Sequence, residues 1–533
     1  MKPAATAFAR VRLVMASALA AIAMALLPAA DSLAAGQPAT VHTLGSVHFD
    51  TSCDPSVAAT FDRGVALLHS FWFSASIDAF NEVLRQDPSC AMAEWGIAMS
   101  QWSNPFVSGR SSQALTAGTA AVARAEASGF KTERERDYVM AVKKLYDDAA
   151  NVSERDRTLA YEDAMGRLSA AWPDDIEARI FHALAIDQDV DPADKTYAQR
   201  LKAGAILEQE FARHPDHPGL AHYLIHNYDT PPLASRALVA ARQYAQIAPA
   251  AAHALHMPSH TFTRLGLWQE SIDTNLRSAA VASKDANAAA EQLHALDYMV
   301  YAYLQTGQDE AAGAIVKRIA PLGARIPVNS PGNAAPPSAG YYAMAAIPAH
   351  FAIERNAWDE AASLKVHPTA YPWVDAVTYF ARGLGAARSG HPAAARRDAA
   401  QLGVLRDKLI AGNDAYWAGQ VTIQQLQIDA WIALDEGRSD EALSLLRNAA
   451  EREDATDKAA VAPGSLKPAR ESLAEMLVEL NRPGEALDEF EKVLAKEPKR
   501  LRAIYGAGHA ARLIGDQARA NAYCAIPCRS AEP

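Results

Sequence analysis

Histidines recur in this chain with the spacing of an α-helix and the period of a helical repeat. His222 and His226 lie four residues apart. The same pair returns 34 residues later as His256 and His260, with His253 just before it. Residues three or four apart share one helix face, and 34 residues is the period of a helix-turn-helix solenoid unit. The pattern predicts imidazoles from successive helices side by side on one surface, where a metal ion or an acidic ligand could bind.

The repeat register sharpens this prediction. With Pro232, Gly266 and Gly307 taken as equivalent turn residues, the second, fifth and ninth positions of the preceding helix give nine slots in three repeats. These slots hold, in chain order, Gly219, His222, His226, His253, His256, His260, His294, Asp297 and Tyr301. Six histidines in nine slots, against 16 in 533 residues, exceed what composition alone would produce.

The expected ligand of this face is a divalent transition metal. Copper, zinc and nickel accept imidazole nitrogens, and zinc often adds a carboxylate. The predicted metal ligands are the six histidines of these slots and Asp297. Asp229, three residues after His226, could bind the ion or orient one of its ligands. His350 falls on the same face by the repeat arithmetic, and Asp229, Tyr301 and His350 are predicted ligand-binding residues.

Two other interpretations of the histidine face stay open. It could be a polar groove that binds an acidic peptide or a carboxylate without metal, or its histidines could serve structural hydrogen bonding. Imidazoles with a pKa near 6.5 would make any such site sensitive to pH. Glu291 and His294 also form an acid-x-x-His pair, as in helical di-metal sites, although the sequence contains only one such pair.

Pro258 leaves the local geometry open. Inside a helix it would remove one backbone hydrogen bond and kink the axis. Alternatively, a helix begins at Pro258, with Met257 extended and the two preceding histidines in a turn. Either arrangement gathers histidines near the same surface.

The elements that position these residues are predicted to be helices throughout. Alanine-rich periodicity of 3.6 residues runs along most of the chain, and the alternation typical of strands is rare. Residues 321–340 interrupt the helices with five prolines. A connection of this length is either functional or disordered.

Several segments resemble units of the tetratricopeptide repeat (TPR) family. Two of them carry the family's small residues, aromatic residue and terminal proline at the family's spacing: Ala474, Ala486, Phe490 and Pro498 in one, and Gly64, Phe80 and Pro88 in the other. The resemblance covers most of residues 55–525. It implies an all-α, right-handed superhelical solenoid, in which the second, fifth and ninth positions of each first helix line a concave ligand-binding groove.

The amino-acid sequence of the histidine region is similar to that of a group of secreted bacterial TPR proteins. Residues 222–226 read HYLIH, and residues 253–266 read HALHMPSHTFTRLG. That group carries His-Tyr-x-Ile-His, followed by His-x-x-His-Met-Pro-x-His-x-(Phe/Tyr)-x-Arg-x-Gly. The resemblance implies a site at these histidines and no particular reaction.

The first 35 residues are typical of a secretory signal peptide. Lys2, Arg10 and Arg12 precede an apolar stretch over residues 13–27, and small residues follow. We expect cleavage near residues 34–36 and a periplasmic or secreted protein. This segment contains three basic residues and one acidic residue. Without it, 48 Lys and Arg residues remain against 61 Asp and Glu residues, which gives a net charge of −13. Such a chain is a poor candidate for nucleic acid, and no later segment is long enough to span a membrane.

The four cysteines are expected to form disulfides, because an exported chain meets an oxidising compartment. Cys53 and Cys90 each lie at the start of a predicted first-of-pair helix in neighbouring repeats, so we predict that they bond to each other. Cys524 and Cys528 lie four apart near the C-terminus. A local disulfide is predicted there, with a redox or metal pair as the alternative.

These features divide the chain into five parts. They are a signal peptide (1–35), N-terminal TPR-like repeats (36–215), a histidine-rich TPR core (216–320), a Pro-rich linker or lid (321–340) and C-terminal TPR repeats (341–533).

Two classes of function fit this organisation. As an exported binding or scaffold protein, the chain would hold a peptide, a partner protein or a small ligand in its groove. As a metalloenzyme of oxidase or hydrolase type, it would use the same histidines on an unknown substrate. The sequence has no nucleophile elbow, phosphate loop or His-Glu-x-x-His motif, so neither a standard hydrolase nor a nucleotide cofactor is predicted.

Overall fold

A computed structural model describes residues 44–107, 109–327 and 334–524 of the chain. Within these ranges every regular element is a helix. The predicted signal peptide (1–35) and Cys528, one half of the predicted C-terminal cysteine pair, lie outside the described residues. Among the described residues, no helix combines the length and the apolar character that crossing a bilayer requires.

The helices follow one another along the whole described chain. Helices α1 to α8 form the N-terminal part: Ala58–His69, Phe73–Gln86, Ala91–Trp102, Ser112–Ser128, Glu133–Lys143, Glu154–Ala171, Ile176–Gln188 and Ala198–Phe211. Helices α9 to α16 form the middle: Pro218–Asn227, Leu238–Ile247, Ala252–His256, Pro258–Arg264, Trp268–Ala282, Ala289–Gln305, Asp309–Val316 and Ala320–Gly323.

Helices α17 to α26 complete the array: Pro337–Ile353, Trp358–Ala362, Pro372–Arg388, Pro392–Ala411, Ala415–Asp435, Ser439–Asp454, Ala469–Glu479, Pro483–Lys496, Leu501–Leu513 and Gln517–Cys524. Two short 3-10 helices lie at Pro55–Val57 and Ala234–Ala237. Successive helices pack against each other along the chain. The predicted all-α solenoid of helix-turn-helix repeats is confirmed.

Tight turns join the paired helices. Gly266 and Gly307 adopt φ values of 64° and 67°, in the left-handed region that costs glycine no steric strain. Asn356 and Asn481 occupy the same region at 53° and 57°, which asparagine tolerates better than most side chains. Gly266 and Gly307, which the repeat register takes as turn residues, therefore do reverse the chain.

Close contacts between glycines and aromatic rings set the spacing between repeats. A Cβ on Gly64 would lie 2.8 Å from the Phe80 ring, and one on Gly96 only 2.3 Å from it. The Phe490 ring occupies the same kind of gap beside Gly506, at 2.2 Å. In both places the ring fills space that a side chain would otherwise occupy, so the helices approach closely.

The predicted disulfide between Cys53 and Cys90 is confirmed. Their Cα atoms lie 5.0 Å apart and their sulfurs are bonded, across a separation of 37 residues. Cys53 precedes α1 and Cys90 is the residue before α3. Equivalent ends of neighbouring helix pairs therefore meet, as the repeat register requires.

The array curls so that its C-terminal helices contact its middle. The indole Nε1 of Trp268 donates to the carbonyl of Lys499 at 3.1 Å. Arg500 Nη1 donates to the hydroxyl of Tyr301 at 2.9 Å. These contacts join α13 and α14 to residues about 200 positions away, so the C-terminal helices pack against the middle of the array.

The Pro-rich segment also packs onto the middle helices. Ala334 and Ala335 are buried. The carbonyl of Ala334 accepts from Asn104 Nδ2 at 2.8 Å, and the amide of Ala335 donates to Glu291 Oε1 at 2.8 Å. The described end of this segment therefore lies against the histidine-bearing part of the array.

Candidate metal centre

Four helices carry the six histidines. Two histidines lie on α9 and one on α14, while α11 and α12 supply the other three across Pro258. Met257 has φ −51° and ψ −38°, and its amide donates to the carbonyl of His253 at 2.9 Å. The backbone is therefore helical at Met257, so the expectation of an extended Met257 is wrong. A separate helix, α12, nevertheless begins at Pro258, as the second alternative expected.

The six side chains form two groups of three. The first triad is His222, His226 and His253, and the second triad is His256, His260 and His294. In each triad, one ring nitrogen from every histidine lies within 4.8 Å of the others. All six side chains are buried. The structure thus brings together all six histidines that the repeat register singled out.

Hydrogen bonding defines the tautomers in the second triad. His256 Nδ1 lies 2.7 Å from Asn275 Oδ1, and the Asn275 Nδ2 donates to the Ser271 carbonyl, so the amide oxygen faces the ring. His260 Nδ1 lies 3.0 Å from a carboxylate oxygen of Asp229. Both Nδ1 atoms therefore carry the proton. A neutral imidazole with a protonated Nδ1 has a bare lone pair on Nε2.

These two lone pairs face each other. The Nε2 atoms of His256 and His260 are 3.1 Å apart. Two bare acceptors at this distance repel unless a cation or a proton lies between them. The third ring, His294, has an Nδ1 with no hydrogen-bond partner within the described part of the chain. This is the donor arrangement that a metal ion would satisfy.

In the first triad, hydrogen bonding defines the tautomer of one ring, that of His222. His222 Nδ1 donates to the backbone carbonyl of His69 at 2.6 Å, which leaves the His222 Nε2 as an acceptor. That atom lies 3.1 Å from His253 Nε2. Among the described residues, the Nε2 of His226 and the Nδ1 of His253 have no hydrogen-bond partner. The triad therefore presents buried nitrogen atoms that protein groups leave unsatisfied.

Burial keeps these rings neutral. Desolvation lowers the pKa of His222 and His294 to about 3. It also lowers the pKa of the other four rings, since a charged imidazolium is disfavoured away from water. Neutral imidazoles are the form that binds metal ions. At neutral pH all six rings are therefore ready to act as ligands.

A third buried group provides an instructive contrast. Glu177 accepts from His69 Nε2 at 2.8 Å and from His217 Nε2 at 3.0 Å. The Tyr223 hydroxyl lies 2.9 Å from His69 Nδ1, the remaining acceptor of that ring. Each of these three contacts pairs one donor with one acceptor, although His217 Nδ1 has no hydrogen-bond partner in the described part of the chain. In both triads, by contrast, two ring nitrogens lie 3.1 Å from each other.

Asp229 orients the second triad. Besides His260, it accepts from Arg264 Nε at 2.7 Å and pairs with Lys458 Nζ at 3.3 Å. Burial opposes ionisation of Asp229, but Lys458 and Arg264 outweigh it and hold the pKa of this carboxyl well below its usual range. Asp229 is therefore a carboxylate that fixes the orientation of His260, and its predicted role at a metal ion stays a prediction.

Two further carboxyl groups lie nearby. Glu291 Oε2 is 3.9 Å from His253 Nδ1, and burial raises the pKa of Glu291 to about 7. Asp297 is fully buried one turn after His294, and burial raises its pKa well above the usual range. Neither Asp297 oxygen has a hydrogen-bond partner in the described structure. The triads themselves consist of histidines alone, so Asp297 lies beside the centre and its predicted ligation stays a prediction.

A cavity of about 720 Å³ opens onto the triads. Two histidines from each triad reach it: His226, His253, His260 and His294. The cavity is also lined by Trp373 and Trp417, whose rings stack at a centroid distance of 4.3 Å. The end of the Pro-rich segment, residues 334–336, lines it as well. The cavity has room for a small molecule in contact with both triads.

Tyr301 and His350 lie in a different buried polar cluster. Their rings pack at a centroid distance of 5.2 Å. Arg500, which donates to Tyr301, also pairs with Glu354 and Glu471 at 2.8 and 2.6 Å. These contacts join α14, α17, α23 and α25. The ligand-binding role predicted for Tyr301 and His350 stays a prediction, and the structure places both residues away from the triads.

Sequence reasoning missed several groups that shape the centre. Lys458 lies 229 residues from its partner Asp229, and no local pattern marks it. Phe71, which has a φ of 53° between α1 and α2, packs its ring against His222 at a centroid distance of 4.4 Å. Asn275 could have been found, because it is a polar residue on the buried face of an amphipathic helix.

No protein-family profile matches the chain, and no curated protein matches it. Among solved structures, the APC/C hetero-tetramer Cut9–Hcn1 is similar over 86% of this chain and 77% of that chain, at 12% identity and a TM-score of 0.35. A human IFIT1 dimer with m7Gppp-AAAA is similar over 82% and 89%, at 11% identity and a TM-score of 0.35.

The TPR domain of P58(IPK) is similar over 86% of this chain and 98% of that chain, at 12% identity and a TM-score of 0.21. Similarity at this level supports no statement about function. The assignment of the fold rests on the helix packing itself.

Proposed function

We propose that this protein is an exported, TPR-like binding protein that holds a transition metal at its six-histidine cluster and presents it to a ligand in the adjoining cavity. One observation carries the proposal. The Nε2 lone pairs of His256 and His260 face each other at 3.1 Å, while both Nδ1 atoms are engaged as donors. A metal ion between them turns a repulsive contact into two bonds.

Export is supported by the Cys53–Cys90 disulfide, since structural disulfides are typical of oxidising compartments. It is also supported by the signal-like composition of residues 1–35. Outside the cytoplasm, copper, zinc and nickel are the ions that an imidazole site would meet and accept.

A second candidate function is a metalloenzyme of oxidase or hydrolase type. The observation that favours it is the cavity, because four of the six histidines reach a space large enough for a substrate. A catalytic metal needs such an open coordination position, whereas a structural metal is closed. A metal-loaded protein that turns over a substrate would establish the enzyme. One that only retains a ligand would establish the binding protein.

Elemental analysis of untagged protein, purified without chelators, tests the proposal. We expect at least one equivalent of copper, zinc or nickel per chain, and a lower metal content in His256→Gln and in His260→Gln. His367→Gln is the matched control, because His367 is exposed and its loss should leave the metal content unchanged. Protein that contains no metal and takes up none on titration would contradict the proposal and leave a metal-free groove.

A further inference from the structure

The two triads adjoin each other. The His226 and His260 rings, one from each triad, have centroids 6.1 Å apart. The His253 and His256 rings, again one from each, are also 6.1 Å apart. Ions held by the two triads would therefore be close neighbours.

Six imidazoles exceed what one ion uses. A tetrahedral site takes four ligands, and a site with an open position takes three from the protein. The cluster offers two sets of three, each with its own group of converging nitrogens. Each set lacks one ligand of a tetrahedron, and both sets reach the same cavity.

Charge favours copper for such a pair. Each ligand set consists of neutral imidazoles, and the Asp229 carboxylate beside the second triad is already paired with Arg264 and Lys458. The repulsion between two ions scales with the product of their charges, so two divalent ions repel four times as strongly as two monovalent ions at the same distance. Copper(I) is monovalent. A divalent pair would need an anion between the ions.

We propose that the cluster is a dinuclear copper centre, with one ion in each triad and the fourth position of both ions open to the same cavity. In the oxidised state a small anion bridges the two ions from the cavity side. This inference rests on the proposed function, because it specifies the number, the identity and the shared ligand of the metal ions.

Oxidation of the pair can be written as a balanced step. One hydrogen peroxide accepts two electrons, one from each copper(I), its O–O bond breaks, and two copper(II) ions and two hydroxides form. One hydroxide is the expected bridge, and azide can replace it as a spectroscopic probe. His226 and His260, which face the cavity from different triads, place the two open positions toward the same bridging ligand.

Copper counting tests the inference. Metal-free full-length protein is titrated with copper(I) without oxygen, desalted and analysed for copper, then oxidised with peroxide and examined by electron paramagnetic resonance. We expect two coppers per chain and a signal far below that of two isolated copper(II) ions, because a bridge couples their spins. Added azide should produce a charge-transfer absorption band.

Each alternative result of the copper count would contradict one specific part of the proposal. No bound copper, zinc or nickel would overturn the proposed function itself. One copper per chain would leave metal binding in place and overturn the dinuclear centre. Two coppers with the full signal of isolated ions would overturn the shared bridging ligand.

Variants in each triad test whether each triad holds a copper ion of its own. His222→Gln should remove the first-triad ion and His256→Gln the second, so each should retain one copper and regain the full signal of a single copper(II). A mononuclear site would instead lose all of its copper in at least one of them. If His222→Gln does not fold, as judged by circular dichroism, His226→Gln serves the same purpose. His367→Gln, at an exposed position, should retain two.

Discussion

The Nε2 atoms of His256 and His260 lie 3.1 Å apart, while the Nδ1 atom of each ring faces an oxygen acceptor. Asn275 and Asp229 hold the two rings in this arrangement through their Nδ1 atoms. Around Glu177, by contrast, His69 and His217 each direct a ring nitrogen at a carboxylate oxygen. The relationship distinguishes a site prepared for a cation from a satisfied polar core.

Asp229→Asn should weaken metal binding without abolishing it. The amide keeps the shape but loses the charge that orients His260 and balances Lys458 and Arg264. Loss of such an orienting partner typically lowers metal affinity by about 10- to 100-fold. Competition with a chromophoric chelator measures this change. Asp273→Asn, at an exposed position, is the control and should leave the affinity unchanged. Equal affinity in both variants would contradict the orienting role.

The metal-free protein should lose stability as the pH falls below about 6.5. Burial lowers the pKa of His222 and His294 from 6.5 to about 3 in the folded protein. The unfolded chain therefore binds more protons than the folded chain between these values, so unfolding becomes easier as the pH falls through this window. Thermal melts of metal-free protein at pH 7.5 and pH 4.5 should show a lower Tm at pH 4.5.

Bound metal should raise the Tm because it binds the folded state, and this gain should shrink in acid, where protons compete for the same nitrogens. The Tm of the metal-loaded protein should exceed that of the metal-free protein by more at pH 7.5 than at pH 4.5. A Tm that is independent of metal at both values would indicate that the rings do not bind it.

Removing the disulfide should destabilise the N-terminal repeats. The Cys53–Cys90 bond closes a loop with a sequence separation of 37, and a native disulfide of this kind contributes about 2–4 kcal/mol. Chemical denaturation of Cys53→Ser should reveal this loss in the free energy of unfolding. The double variant Cys53→Ser/Cys90→Ser should be no less stable than the single variant. Metal content should stay unchanged, since neither cysteine belongs to the triads.

Gly96→Ala should destabilise the fold through overpacking. A Cβ at Gly96 would lie 2.3 Å from the Phe80 ring, and forcing extra carbon into a packed core costs about 1–3 kcal/mol. Gly419→Ala is the matched control within a helix, because nothing lies within 4 Å of its added Cβ. That change should be neutral or stabilising by about 0.5–1 kcal/mol. Equal effects at both positions, measured by denaturant unfolding, would contradict the packing role of Phe80.

Much of the fold could be predicted from the sequence, because its causes are local. The 34-residue period, the turn residues Gly266 and Gly307, and the glycine–aromatic pairing around Phe80 each act within one or two repeats. The same locality made the Cys53–Cys90 bond predictable. Helix ends around Pro258 were harder, since a proline permits both a kink and a new start.

The sequence by itself determined which residues share a face and therefore which six histidines meet. Only the tertiary structure decided that they divide into two triads, that Asn275 and Asp229 set the tautomers, and that Lys458 reaches Asp229 from 229 residues away. It also decided that the face borders a cavity. The physical reason is that side-chain spacing follows from helix geometry within a repeat, whereas long-range contacts depend on how the whole array curls.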